Sequence, residues 1–171
     1  MKHLPNLTFV LGGAASGKSA YAELLCTQSG RAKIYIATAQ VFDDEMGAKV
    51  TKHLDQRGTA WTTIEAPLDV ASALKTASAD DVVLVDCATL WLTNVILGDH
   101  DLDAHTGQLL AALTSCAAPV IIVSNEVGQG IVPDNALSRR FRNAQGLLNQ
   151  EIAARANAVV AVMAGLPLAL K

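Results

Sequence analysis

"LTFVLGGAASGKSAYAELL", Leu7 to Leu25, is the stretch whose reading decides the fold. An apolar run, Leu7–Leu11, leads into a glycine-rich turn, then Lys18-Ser19 and a helical pattern. Gly12-Gly13-Ala14-Ala15-Ser16-Gly17-Lys18-Ser19 fits G-x-x-x-x-G-K-[ST], the spacing of a phosphate-binding loop. Glycines let the backbone wrap closely around phosphate oxygens. The N–H groups then point inward, and the following helix adds its positive N-terminus. In that geometry Lys18 reaches the β- and γ-phosphates, and the Ser19 hydroxyl ligates Mg²⁺. A strand before the turn and a helix after it are the context that separates such a loop from a chance glycine-rich turn. What the nucleotide gives up, and to which acceptor, the stretch leaves open.

Working outward, short apolar runs alternate with helical patterns. Leu7–Leu11, Ala32–Ala37, Val82–Asp86 and Val120–Ser124 read as strands, apolar on both faces. Ala158–Met163 reads as a further strand and Pro167–Lys171 as a last edge strand. Helical patterns cover Gly17–Thr27, Asp43–Asp55, Leu68–Ala77, Ala104–Cys116 and Ala136–Ala156, while Gly58–Thr59 and Gly98–Asp103 read as loops. Strands apolar on both faces suit a parallel sheet covered by helices. The alternation predicts a doubly wound, mainly parallel α/β sheet of the P-loop NTPase type, with right-handed crossovers. No repeat or linker divides the 171 residues, so a single domain is expected over 1–171.

Composition narrows the function. Hydrophobic residues make up 51% and the net charge is −3, which argues against disorder and against a basic nucleic-acid surface. Aromatics at 4% are too few for a base-stacking platform. Cys26, Cys87 and Cys116 are odd in number and too widely spaced for a zinc pair, so they read as reduced, buried thiols of a cytoplasmic protein. The start, MKHLPNLTFVLGGAASG, mimics a signal peptide, but its small residues are the phosphate loop itself. The apolar stretch Val82–Gly98 is interrupted by Asp86, Thr89, Thr93 and Asn94, and no membrane span is expected.

A phosphate loop needs an acid at the end of another strand, and VVLVDC supplies Asp86. Asp86 is expected to hold Mg²⁺, the alternative being a cap for the next helix. Together these elements define a P-loop NTPase or kinase and nothing narrower. Ser124-Asn125-Glu126-Val127 does not match the Asn-Lys-x-Asp guanine motif of regulatory GTPases, and the small size favours a transferase acting on a small molecule. In DDEMGAKVTKHLDQRGTAW, Met46, Val50 and Leu54 form one helical stripe with His53 beside it. Spacing leaves His53 either a structural histidine or a nucleophile able to form a phosphoramidate. Arg57 lies one turn on and suits phosphate neutralisation.

The motifs then become specific. YIATAQ (Tyr35–Gln40), DDEM (Asp43–Met46), His53-x-x-x-Arg57-x-x-x-Trp61 and Glu65 follow the loop in order. DCATLWLTN (Asp86–Asn94), NEVGQGIVP (Asn125–Pro133) and RRFRNAQGLLNQ (Arg139–Gln150) come after. This series resembles the bifunctional adenosylcobinamide kinase / adenosylcobinamide-phosphate guanylyltransferase family over essentially the whole chain. The resemblance implies phosphorylation of adenosylcobinamide by ATP or GTP, then transfer of GMP from GTP to that phosphate, with pyrophosphate leaving. It implies a guanylylated histidine at His53. It puts nucleotide contacts on Gly12, Gly13, Ala14, Ala15, Ser16, Gly17, Lys18 and Ser19, on Ala37, Thr38 and Ala39, on Leu54, Asp55, Gln56 and Arg57, and on Glu65 and Asp86. It further implies a cytoplasmic homotrimer. Two other readings stay open at this point: a small-molecule kinase without the guanylyl step, and a nucleotide-binding regulator without transfer chemistry.

The sequence also departs from the family pattern. Ala15 and Lys49 stand where the family often has Arg, and Asp86 where some members have Glu. Asn125 and Glu126 are further site candidates, since ligands bind at the carboxyl edge of such sheets. Arg139, Arg140 and Arg142 suit a solvated basic face, a phosphate or a partner subunit. His3, His100 and His105 read as surface residues without spaced partners, and Trp61 and Trp91 as packing residues, with Trp61 able to shape the pocket.

Overall fold

A computed structural model describes residues 4–40 and 60–171. The elements run β1 (Leu7–Gly12), α1 (Lys18–Ser29), β2 (Ala32–Ala37), β3 (Trp61–Glu65), α2 (Val70–Leu74) and β4 (Asp81–Asp86). They continue with α3 (Ala88–Leu97), α4 (Leu102–Ser115), β5 (Val120–Asn125), α5 (Ala136–Arg155), β6 (Ala158–Met163) and β7 (Leu166–Ala169). The seven strands form one sheet in the order β3-β2-β4-β5-β1-β6-β7. The first six are mutually parallel, and β7 pairs antiparallel with β6. The doubly wound α/β expectation therefore holds.

Side chains alternate along the inner strands between two apolar layers. Phe9, Ile34, Ile36, Val83, Val85 and Ile122 face the layer that α2–α5 cover. Val10, Tyr35, Val82, Leu84, Ile121 and Val123 face the layer under α1, with Ala22 and Cys26. Burying each aliphatic chain of this size contributes about 1.5–3 kcal/mol. Parallel strands put all their carboxyl ends on one edge. Register sets Gly12 opposite Asn125, and Ala37 opposite both Asp86 and Glu65.

Two elements were absent from the sequence reading, the edge strand β3 and the buried helix α3. The helix expected over Leu68–Ala77 is regular only over Val70–Leu74. Asp101 caps α4 through the Ala104 N–H at 3.0 Å, so that helix begins within the expected Gly98–Asp103 loop. The last strand starts one residue earlier and ends two residues earlier than expected, and the chain turns into it through Ala164 and Gly165, both at positive φ, as a tight hairpin requires. The helix expected over Asp43–Asp55 and the Gly58–Thr59 loop lie outside the described residues.

Candidate functional site

The phosphate loop leaves β1 at Gly12, whose side-chain position is closed. A Cβ there would stand 2.5 Å from Ser16 Oγ and 2.6 Å from the Val162 carbonyl. Within the loop the Ser16 N–H donates to the Gly13 carbonyl at 3.3 Å. Ala15 adopts φ 54°, and Gly17 opens α1 at φ 95°. Gly17 offers α1 no side-chain cap, so its first-turn N–H groups are available to an anion. By contrast, Asp69, Asp101 and Asn135 cap α2, α4 and α5 through their side chains. The Lys18 ammonium crosses the loop to the Gly13 carbonyl at 3.1 Å. The β6–β7 turn braces the loop from behind, because the Gly165 N–H donates to the Ser16 carbonyl at 2.8 Å. Gly165 was missed in the sequence, where a glycine near the end of the chain carries no phosphate signal.

Asp86 stands half-buried at the carboxyl end of β4 and accepts the Tyr35 hydroxyl at 3.1 Å. The helix that follows has Cys87, not Asp86, at its N-cap, and receives no side-chain cap. The capping alternative for Asp86 is thereby set aside. Burial foremost, then the Asp86 charge, pushes the Cys87 thiol up to about 11, while Lys18 acts in the opposite sense. Lys18 and Asp86 thus act in opposite senses on the Cys87 thiol.

The segment after β2 is held by hydrogen bonds across the sheet edge. The Thr38 hydroxyl bonds both the carbonyl and the N–H of Cys87, each at 2.8 Å. Asn94 donates to the Thr38 and Pro67 carbonyls, both at 2.8 Å. Thr38 is fully buried, and Ala37 and Ala39 are half-buried beside it. Glu65 ends β3 exposed on the same edge, and Asn125 and Glu126 leave β5 next to Gly12, where the Glu126 N–H donates to the Gly12 carbonyl at 3.1 Å. The edge therefore gathers Gly12–Ser19, Ala37–Ala39, Glu65, Asp86 and Asn125. His53, Leu54, Asp55, Gln56 and Arg57 lie outside the described residues.

Other candidates fall away from this edge. Trp61 begins β3 at its opposite end, about 13 Å away along the strand, so it does not line the edge directly. It meets Tyr35 edge-on at 6.2 Å between ring centroids, and so packs beside the residue that bonds Asp86. Trp91 is buried and donates to the Leu68 carbonyl at 2.9 Å. Arg139 folds back onto the Pro133 and Asp134 carbonyls. His100 and His105 are half-buried with ring centroids 5.2 Å apart, rather than isolated on the surface. A cavity of about 580 Å³ between α2 and α4 is lined by Asp69, Lys75, His105 and Gln108 among others, but by no residue of the phosphate loop and not by Asp86. The convergence of loop, carboxylate and open N–H groups marks the carboxyl edge as the site, rather than that groove. Among the described residues no helix is long and apolar enough to cross a membrane.

A mainly parallel sheet carrying a glycine-rich loop, a Lys-Ser pair at the loop's motif spacing and an acid on the next strand but one in space defines a P-loop nucleotide-binding protein. The fold agrees with a solved structure described as a prototypical ATPase from the type III secretion system of pathogenic bacteria. That likeness has a TM-score of 0.57 at 10% identity, covering 97% of this chain and 57% of the other. Residues 8–170 match the sequence model of the cobinamide kinase / cobinamide phosphate guanyltransferase family (CobU), and the chain belongs to that family. It is 47% identical over 165 residues to the bifunctional adenosylcobalamin biosynthesis protein CobP of Pseudomonas aeruginosa, covering 95% of each chain. It is 38% identical over 181 residues to the bifunctional adenosylcobalamin biosynthesis protein CobU of Escherichia coli, covering 96% of this chain and 99% of that one.

Proposed function

We propose that the chain phosphorylates adenosylcobinamide with ATP or GTP and then converts the product to adenosylcobinamide-GDP through a guanylyl-His53 intermediate. Family membership across residues 8–170 supports the pair of activities. The observation that supports the assignment of the loop, Ala37–Ala39, Glu65 and Asp86 is the shared carboxyl edge, where strand register sets Ala37 beside Asp86 and Glu65, and Gly12 beside Asn125; His53 and Leu54–Arg57 are assigned by the family resemblance.

In the kinase step the acceptor hydroxyl oxygen attacks the γ-phosphorus. The bridging bond to the β-phosphate breaks, the nucleoside diphosphate leaves and the hydroxyl proton is lost. Lys18 and the open N–H groups of α1 neutralise charge on the transferred group. In the second reaction an imidazole nitrogen of His53 attacks the α-phosphorus of GTP. The α–β bridge breaks and pyrophosphate leaves against the same loop. A phosphate oxygen of adenosylcobinamide phosphate then attacks the guanylyl phosphorus, and the P–N bond breaks to free the imidazole.

Ser19 and Asp86 offer a hydroxyl and a carboxylate, hard oxygen donors suited to Mg²⁺ that keeps most of its other ligands from phosphate and water. Bound there, Mg²⁺ would stabilise charge on the phosphates. The remaining contacts proposed are Ala37–Ala39, Leu54–Arg57 and Glu65. Cytoplasmic location and homotrimeric assembly belong to the same proposal, with exposed Ile131, Val132, Leu166 and Leu168 as apolar surface available to subunit contacts.

The test uses GTP labelled at the α-phosphate, with Mg²⁺, on the native chain and on His53→Ala. Acid-labile label retained by the denatured native chain and absent from the variant is the expected result. No label on either, with adenosylcobinamide phosphate still formed, would leave a kinase alone. Binding of GTP with neither product would leave a regulator.

A further inference from the structure

The outward face of α5 is mainly polar, with Leu137 and Leu147 exposed on it, but its inner face is unusual. Of its four buried residues, Leu148 and Ile152 are apolar, whereas Gln145 and Asn149 are amides. Gln145 is fully buried and its Oε1 has no hydrogen-bond partner. An apolar side chain would pack there without that desolvation penalty. Stability alone therefore gives no reason for a glutamine at this point.

What the amides do hold is the end of β5. Asn149 Nδ2 donates to the Asn125 carbonyl at 3.2 Å, which leaves its Oδ1 as the acceptor for the Ser124 hydroxyl at 2.7 Å and Gln145 Nε2 at 2.9 Å. Gln145 Nε2 also donates to Ser124 Oγ at 3.0 Å. From the other side, Thr89 Oγ1 accepts the Asn125 N–H at 2.8 Å and lies 3.4 Å from Ser124 Oγ. The Ser124 proton is committed to Asn149, so the Thr89 hydroxyl is the donor in that last contact. Both backbone polar groups of Asn125 are thus fixed by side chains from two different helices, α3 and α5. Asn125 stands in register with Gly12, the first residue of the phosphate loop.

We propose that Thr89, Ser124, Gln145 and Asn149 are positioning residues that lock the β5 end against the phosphate loop, and so set turnover in the kinase step rather than nucleotide affinity. The proposal deepens the kinase reading above and rests on it for the turnover clause. Misplacement of reacting groups by about 1 Å can cost about 100-fold in rate without direct contact to substrate.

Thr89→Val removes the hydroxyl at constant shape, and Thr89→Ser keeps it. Asn149→Leu removes the other side of the clamp. In each full-length variant, hydrogen exchange of the peptide spanning the phosphate loop is measured beside that of β6. kcat and the nucleotide KM are measured with ATP, Mg²⁺ and adenosylcobinamide. Expected in Thr89→Val and Asn149→Leu is loop exchange about tenfold faster with β6 unchanged. Their kcat should fall about 10–100-fold while KM stays within about threefold. Thr89→Ser should stay near native in both. Should Asn149→Leu fail to fold, the Thr89 pair decides by itself. Exchange or kcat within about twofold of native in Thr89→Val overturns the proposal, as does an equal loss in Thr89→Ser. If the native chain makes no adenosylcobinamide phosphate, the kinase reading fails, and the exchange comparison still decides whether the clamp fixes the loop.

Discussion

Lys18 and Gly13 face each other across the phosphate loop, the ammonium donating to the glycine carbonyl at 3.1 Å. The contact closes the loop on itself with the one cation the motif supplies. It also holds that charge where the β- and γ-phosphates are proposed to lie.

Lys18→Met keeps the length of the side chain and removes the charge. Loss of one such electrostatic contact costs about 10²–10³ in kcat. Both half-reactions should fall together, because γ-phosphoryl and pyrophosphate departure use the same loop. The melting temperature should hold, since the hydrogen bond lost is exposed. Steady-state assays of each half-reaction beside a thermal melt check this, and retention of either activity would place the charge elsewhere.

Gly12→Ala tests the loop as backbone. The added Cβ meets the Val162 carbonyl at 2.6 Å, and a β6 main-chain atom cannot swing aside like a side chain. Overpacking of this kind costs about 1–3 kcal/mol. For a chain of this size the melting temperature should drop by about 2–12 °C. At Gly13, where nothing lies within 4 Å of the added Cβ, Ala should leave the melt unchanged. A calorimetric scan of the two variants gives the comparison.

Cys26 gives a pH dependence. Burial foremost, with the Glu23 charge second, pushes its thiol from the ordinary 9.0 up to about 12, and Lys33 opposes the shift only in part. The folded state therefore holds this proton more tightly than the unfolded chain. The stabilisation is fully present below pH 9 and is lost as pH rises toward 12. Cys87, raised to about 11, adds to the same trend. Melts between pH 8 and 11 should fall more steeply for the native chain than for Cys26→Ala. Parallel slopes would show that the Cys26 thiol takes no part.

The edge of the sheet was legible in the sequence because loop, acid and strand ends each carry a local signal. What stayed hidden has physical reasons. In α3, Ala88, Thr89, Trp91, Leu92, Asn94, Val95 and Ile96 are all buried, so no polar face exposes a helical period. The segment merges with the Val82–Asp86 run and reads as one apolar stretch. In β3 the reverse holds: Thr62 and Thr63 are both exposed on an edge strand, and WTTIE shows no alternation. Gln145 and Asn149 look like solvent-facing residues of a polar helix, and only the packing reveals that they point into the protein. The Gly165 brace depends on a contact between residues 16 and 165, which no local pattern can announce.

Asp86 and Tyr35 allow the metal proposal to be separated from structure. The Tyr35 hydroxyl donates to Asp86 Oδ2 at 3.1 Å, and an Asn side chain can still accept that bond through its amide oxygen. Asp86→Asn therefore keeps the hydrogen bond and shape while removing the charge that suits Mg²⁺. Losing a hard anionic ligand should raise the Mg²⁺ concentration for half-maximal kinase activity about tenfold or more and lower kcat by about 10²-fold. Tyr35→Phe makes the opposite change: the carboxylate stays and its hydroxyl partner goes. Its Mg²⁺ requirement should stay within about threefold of native, with a smaller loss of kcat from a less fixed carboxylate. A Mg²⁺ titration of the kinase reaction in both variants decides the matter. An unchanged requirement in Asp86→Asn would move the metal off β4 and leave Asp86 as a fixed charge beside the phosphates.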